Sequence, residues 1–180
     1  MRVALIRHPA PLIGAGICYG RLDLAIDPTA EPEVDRIAAD PALRGMLRVF
    51  TSPARRCRQL ADAVGAALAV PLVVDSRLQE LDFGMWEGQP WDAVARVDLD
   101  RWAESPLDFA PPGGESGAML ISRIEAFCLG LRRLQQDSIV VSHGGPLKVL
   151  IALLEARSID LLATAPPMGS VRIVTCSPTG

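Results

Sequence analysis

The chain has 180 residues, the length of one domain of roughly 100–200 residues, and it is read as a single domain over residues 1–180. Hydrophobic residues make up 49% and charged residues 22%, which argues for a folded globule and against disorder. The net charge of −3 disfavours a nucleic-acid-coating role, and no apolar run approaches the ~18 residues of a membrane span.

In chain order, Arg2 to Arg7 is a short apolar run with β-branched residues and predicts a buried strand. This run meets an arginine after four apolar residues, too soon for a secretory leader, so a cytoplasmic location is expected. His8 to about Pro28 is rich in Pro and Gly, has no period, and reads as a working loop. A weak helix is expected at 30–39 and a strand over Leu47 to Phe50. Ser52-Pro53 reads as a helix start, a capping hydroxyl followed by proline at the first helical position. That helix runs to about Leu68 with Cys57, Leu60, Ala61, Val64 and Leu68 on one face. Val70 to Asp75 is a third strand, 81–89 a turn region, and 90–104 one or two short helices. After a loop from Pro106 to Gly114, Glu115 or Ser116 opens a helix to about Leu134. Ser138 to Val141 is a strand, and Pro146 starts an almost wholly apolar helix to Leu154. Val171 to Cys176 is a last strand, at an edge, where it offers a pairing surface for a homodimer. Strands alternating with helices predict an α/β fold, three layers with a mostly parallel sheet and helices on both faces.

Three scarcities constrain the chemistry. There are two histidines, His8 and His143, one lysine, Lys148, and no asparagine. Codon bias toward Arg and Ala accounts for this, but any His chemistry must then use these two positions. The four cysteines, Cys18, Cys57, Cys128 and Cys176, form no C-x-x-C pair, and with two histidines they match none of the common zinc spacings. No metal and no cofactor are expected.

Ligands of such sheets bind beyond the carboxyl ends of the strands. Arg7 and His8, Thr51 and Ser52, and Ser142 and His143 all fall at predicted strand ends. After His143 come Gly144 and Gly145, which let a ligand approach the backbone, and then a helix whose amino-terminal amides favour an anion. Arg7 suits phosphate oxygens. Of Arg55, Arg56 and Arg58, the functional one should point back toward the strand ends, the other two forming a solvated face.

The chain resembles the histidine phosphatase superfamily, with its phosphoglycerate-mutase-like fold. The resemblance is carried in order by Leu5-Ile6-Arg7-His8, Thr51-Ser52-Pro53-Ala54-Arg55-Arg56-Cys57, Leu78-Gln79-Glu80-Leu81-Asp82-Phe83-Gly84-Met85-Trp86-Glu87-Gly88, Gly113-Gly114-Glu115-Ser116 and Val141-Ser142-His143-Gly144-Gly145. It implies that His8 attacks phosphorus and becomes phosphohistidine, that Arg7 and Arg56 clamp the phosphate, and that His143 binds phosphoryl oxygens. It implies that Glu80 protonates the leaving group. Glu87 and the tryptophans Trp86, Trp91 and Trp102 read as structural. A metal-independent phosphomonoesterase acting on a small molecule follows. His8 must then be neutral, with a hydrogen bond to its other ring nitrogen fixing the tautomer. His143, when protonated, adds positive charge.

The family usually continues Arg-His-Gly with Glu-Thr and a nearby Asn. Here Pro9, Ala10 and Pro11 follow His8, and Pro9 has no N–H to donate, so the phosphate cradle must differ. The segment Cys18-Tyr19-Gly20-Arg21-Leu22-Asp23 is similar to a stretch in the α-ribazole phosphatase subgroup, an enzyme type of cobalamin biosynthesis. Arg21 would restore a phosphate contact and Tyr19 would stack on a ring, or form part of a turn capped by Gly20. The leading expectation is an α-ribazole 5′-phosphate phosphatase. The alternatives are a broad-specificity sugar or nucleotide phosphatase, and a catalytically impaired phosphate-binding regulatory protein.

Overall fold

The structure, a computed structural model, describes residues 1–176. The chain runs β1 (Arg2–Arg7), α1 (Val34–Ala38), β2 (Val49–Thr51), α2 (Arg55–Leu68), β3 (Leu72–Val74), α3 (Arg96–Glu104), α4 (Gly117–Leu134), β4 (Ser138–Ser142), α5 (Gly144–Leu154) and β5 (Val171–Thr175). The strands form one sheet in the order β3-β2-β4-β1-β5. The β3–β2, β2–β4 and β4–β1 pairings are parallel, and β5 runs antiparallel to β1 at the edge. Helices cover both faces, giving the expected three-layer α/β/α arrangement.

The period-2 geometry of a strand explains how the sheet serves two cores. Val3 and Leu5 of β1 join Leu120, Ile124, Phe127 and Leu131 of α4 and Leu147 and Leu150 of α5 on one face. Ala4 and Ile6 join Ile37, Leu60, Ala61 and Val64 on the other. Strands buried on both faces need apolar interiors, and Val3 to Ile6 of β1 and Ile139 to Val141 of β4 supply them, with polar residues only at the strand ends. The register then decides what meets at the strand ends. Arg7 pairs with Ser142 and Thr51 with Val141, so the next residues of β1, β2 and β4, His8, Ser52 and His143, emerge side by side. Backbone bonds extend the ladders into them, His8 N to Ser142 O at 3.1 Å and Ser52 N to Val141 O at 3.1 Å.

Several boundaries differ from the sequence expectation, and the differences cluster at the site. Helix α2 starts at Arg55, with Ala54 rather than Ser52 at its cap and no side chain of its own capping it. Instead Asp23, from the loop, accepts the Arg55 amide at 2.7 Å. The Ser52 hydroxyl is turned toward His143 and also accepts the Ala54 amide at 3.3 Å. Helix α5 starts at Gly144, two residues before Pro146. Proline is tolerated there because the first amides of a helix have no intrahelical partner to lose. The weak helix at 30–39 shortens to α1, and β2 starts at Val49 because Leu47 is exposed. The predicted start of α4 holds: Ser116 caps it by accepting the Met119 amide at 3.3 Å.

Candidate active site

His8 is 1% exposed, at the end of β1. Its Nδ1 lies 2.7 Å from the Pro9 carbonyl. A carbonyl oxygen only accepts, so Nδ1 carries the proton and Nε2 carries the lone pair. Arg56 Nε donates to that lone pair at 3.2 Å. Burial, reinforced by the charges of Arg56 and Arg7 against the Pro9 bond, lowers the His8 pKa from 6.5 to about 3. The ring is therefore neutral across the ordinary pH range. Pro9 has no N–H to give, but its carbonyl selects the tautomer.

His143 lies against it, with ring centroids 5.0 Å apart. Arg56 Nη2 donates to Nδ1 at 3.1 Å, which leaves Nε2 to carry a proton and donate to Ser52 Oγ at 2.8 Å. Burial, then the neighbouring His8 and arginines, hold its pKa well below 6.5. The expectation of a protonated His143 is thus replaced by a neutral ring, because burial disfavours the charged form and the cationic Arg56, Arg123 and Arg7 already surround it. Cys57 Sγ sits 3.5 Å from Nε2, and burial pushes that thiol far up, so it packs as an inert apolar group.

Of the three arginines opening α2, Arg56 turns inward and is fully buried, while Arg55 is exposed and Arg58 pairs with Asp62 at 3.8 Å. Besides the histidines, Arg56 donates to Gly20 O at 2.6 Å and Leu22 O at 2.7 Å, and its Cζ lies 5.5 Å from the Tyr19 ring centre. Tyr19 thus spends a ring face on Arg56. Arg7 donates to Pro166 O at 2.8 Å, and its buried Nε finds no hydrogen-bond partner among the described residues. A Cβ on Gly144 would come within 3.3 Å of the Arg7 guanidinium, so the glycine gives that arginine room.

Glu80 reaches the amino terminus of α5. The Gly145 amide donates to Oε1 and Oε2 at 3.2 Å each, and the Leu81 amide to Oε1 at 2.9 Å. A side chain on Gly145 would push Glu80 Oε1 from its present position, so the glycine leaves room for the carboxylate beside the amide. Glu80 and His143 line one cavity of about 210 Å³ with Gly20, Arg21, Asp23, Pro53, Ala54 and Gln79. The structure therefore brings His8, His143, Arg7, Arg56, Gly144, Glu80, Arg21 and Tyr19 to one end of the sheet.

Arg21 faces the cavity but is held by two carboxylates, Asp82 at 3.2 Å and Glu115 at 3.4 Å. Its loop is fastened from behind. Glu87 accepts the amides of Arg21 (2.8 Å), Leu22 (2.7 Å) and Phe83 (3.1 Å). Gly20 does not cap a turn with a left-handed backbone. Its missing side chain leaves space for Leu81 O, Glu87 and Phe83. Cys18 bonds through its backbone to Gly88 and Gln89, and packs with Trp86 and Val94, beside Trp91 and Trp102. The tryptophans and Glu87 are structural, as read from the sequence. Burial pushes the Cys18 thiol up to about 12, in keeping with packing. Sequence reasoning missed Asp23 as the cap of α2, Ser52 as the partner of His143, and the buried Glu115–Arg123 pair. None sits in a local pattern that announces its long-range partner.

Among the described residues, no three His, Cys, Asp or Glu side chains gather as a metal site would need, and no helix is long and apolar enough to cross a membrane. Comparison with known proteins fits the geometry. The chain is 26% identical over 160 residues to "Phosphoserine phosphatase 1" of Hydrogenobacter thermophilus, covering 86% of this chain and 76% of that one. It is 32% identical over 167 residues to "Bifunctional protein Rv2228c" of Mycobacterium tuberculosis, which covers 87% of this chain but only 45% of that protein's length. Among solved structures, the α-ribazole phosphatase of Shigella flexneri superimposes with a TM-score of 0.86 at 23% identity, over 96% of this chain and 89% of that one. The family model for the histidine phosphatase superfamily, branch 1, matches residues 3–180, and the chain belongs to that superfamily.

Proposed function

We propose that the protein is a phosphomonoesterase that works through a phosphohistidine on His8 without a metal. The observation that carries this reading is a buried, neutral His8 whose Nε2 lone pair faces Arg56 while Pro9 holds the proton on Nδ1. Phosphoryl transfer is mainly a matter of positioning and charge stabilisation. Arg56, Arg7 with its unpartnered Nε, and the amino-terminal amides of α5 at Gly144 supply the positive field for a phosphate dianion.

In the first step Nε2 gives up its hydrogen bond from Arg56 Nε and attacks phosphorus, the P–O bond to the leaving group breaks, and protonated Glu80 delivers a proton to the departing oxygen. The Nδ1 proton, held by Pro9 O, remains on a ring that now bears positive charge. In the second step water attacks phosphorus, Glu80 takes its proton, and the P–N bond breaks to return neutral His8. His143, donating to Ser52 and accepting from Arg56, keeps the guanidinium at the attack site.

The substrate we favour is α-ribazole 5′-phosphate. The likeness of the Cys18–Asp23 segment to the α-ribazole phosphatase subgroup supports it, and Gly20, Arg21 and Asp23 of the segment line the cavity. A small cavity also suits other compact esters, and phosphoserine is the competing substrate to test, given the Hydrogenobacter relative. Turnover of p-nitrophenyl phosphate in EDTA tests the chemistry. Abolition by chelator refutes the metal-free mechanism. Phosphate binding without turnover replaces the enzyme by a phosphate-binding protein. A panel of α-ribazole 5′-phosphate, phosphoserine, 3-phosphoglycerate and nucleotides ranks the substrates by kcat/KM.

A further inference from the structure

We propose that Arg123, paired with Glu115, is a positioning residue that aims Glu80 at the leaving group by clamping the backbone carrying it. The proposal rests on the reading of Glu80 as proton donor.

The segment before Glu80 belongs to no long helix or strand, so its carbonyls need partners from elsewhere. Four consecutive carbonyls are all taken by side chains. Arg123 Nη1 donates to Arg77 O at 2.5 Å and Gln79 O at 2.6 Å, Ser142 Oγ to Leu78 O at 2.7 Å, and Arg123 Nη2 to Glu80 O at 3.1 Å. The remaining Arg123 donors bind Glu115 in a fork, Nε to Oε1 at 2.7 Å and Nη2 to Oε2 at 2.8 Å. All five guanidinium N–H groups are thus used, which a lysine with a point charge and three donors cannot reproduce. The pair is largely buried, the side chains being 15% and 6% exposed. A buried ion pair is a poor device for stability alone, because desolvation offsets its attraction. As a rigid fixture it does something apolar packing cannot: it holds three polar carbonyls at defined points.

The clamp acts on both ends of the site. Glu80 is fixed at its carbonyl by Arg123 and at its carboxylate by the Gly145 amide. Glu115 also meets Arg21 at 3.4 Å and accepts the Asp82 amide at 3.4 Å. One carboxylate therefore ties the Glu80 segment to the loop that lines the same cavity. Displacing a catalytic group by about an ångström costs on the order of 10²-fold in rate.

The test compares p-nitrophenyl phosphate, whose leaving group needs no proton, with benzyl phosphate, whose leaving group does. Glu80→Gln, Arg123→Met and Arg123→Lys are each measured for kcat, KM and thermal midpoint. The expected result is a fall of about 10²-fold in kcat/KM on benzyl phosphate for Arg123→Met, against under about 3-fold on p-nitrophenyl phosphate, since kcat/KM reports phosphoenzyme formation and not the later step in which Glu80 takes a proton from water. Arg123→Lys shows the same selectivity at smaller size, and decides the matter if the methionine variant does not fold. If Glu80→Gln is selective and the Arg123 variants lose both substrates equally, or neither, the inference is overturned and the proton-donor reading stands. If Glu80→Gln is itself unselective, the proton-donor reading falls and the inference with it.

Discussion

The two halves of the site are built by different means. His8, Ser52 and His143 emerge from neighbouring parallel strands, so the register of the sheet places them. Glu80 and Arg21 sit on segments outside the sheet, and side-chain-to-backbone bonds from Glu87, Arg123, Ser142 and Glu115 hold them. The proposed nucleophile thus inherits the rigidity of the core, while the proposed proton donor depends on a handful of polar fixtures. Arg56 spans the halves, bonding both histidines and two carbonyls of the loop.

This contrast can be broken at either side. The largest effect is expected on the strand side: His8→Ala should lower kcat/KM by roughly 10³-fold or more and abolish acid-labile phosphoenzyme on rapid quench. Retained turnover would remove His8 as nucleophile. Next comes acid. The His8 pKa is lowered from 6.5 to about 3, and that of His143 is lowered too, so both bind protons more readily unfolded than folded. Their neutral burial costs nothing above pH 6.5 and destabilises the fold as pH drops from there toward 3. By pH 5 His8 should cost about 2 kcal/mol relative to pH 7, and His143 adds to the loss in the same direction. Urea unfolding at the two pH values measures this, and His8→Gln should remove the His8 share of the loss.

The loop side should yield smaller numbers. Gly20→Ala drives a methyl into Leu81 O, Glu87 and Phe83, and should cost about 1–3 kcal/mol of stability with a raised KM. An unchanged KM would separate the loop from substrate binding. Tyr19→Leu removes the ring from Arg56 and should cost about 0.5–1 kcal/mol, read as a few-fold change in kcat/KM.

The same contrast explains what could be read from the sequence. Apolar strands, the α4 cap at Ser116 and the polar residues following each strand are local signals, and they placed the sheet and the histidines. The Arg7-His8, Arg56 and Glu80 segments were identifiable by resemblance as well. What stayed hidden depends on partners distant in sequence. Ser52-Pro53 has the local form of a helix start, yet the Ser52 hydroxyl bonds His143 and Asp23 caps the helix instead. Pro9 reads as a lost donor, yet what the site uses there is its backbone carbonyl, which any residue at that position would carry. Arg123 looks like one more arginine on an amphipathic helix until its five bonds are traced.

The Pro9 carbonyl has one more consequence, concerning regiochemistry. Imidazole can carry a phosphoryl group on either nitrogen, and the two products are distinct compounds. With the proton locked on Nδ1 by Pro9 O, only Nε2 offers electrons to an incoming ester. A trapped phosphoenzyme should therefore be the Nε2 isomer alone, and the phosphorus–nitrogen coupling pattern of a ¹⁵N-histidine-labelled sample would identify it.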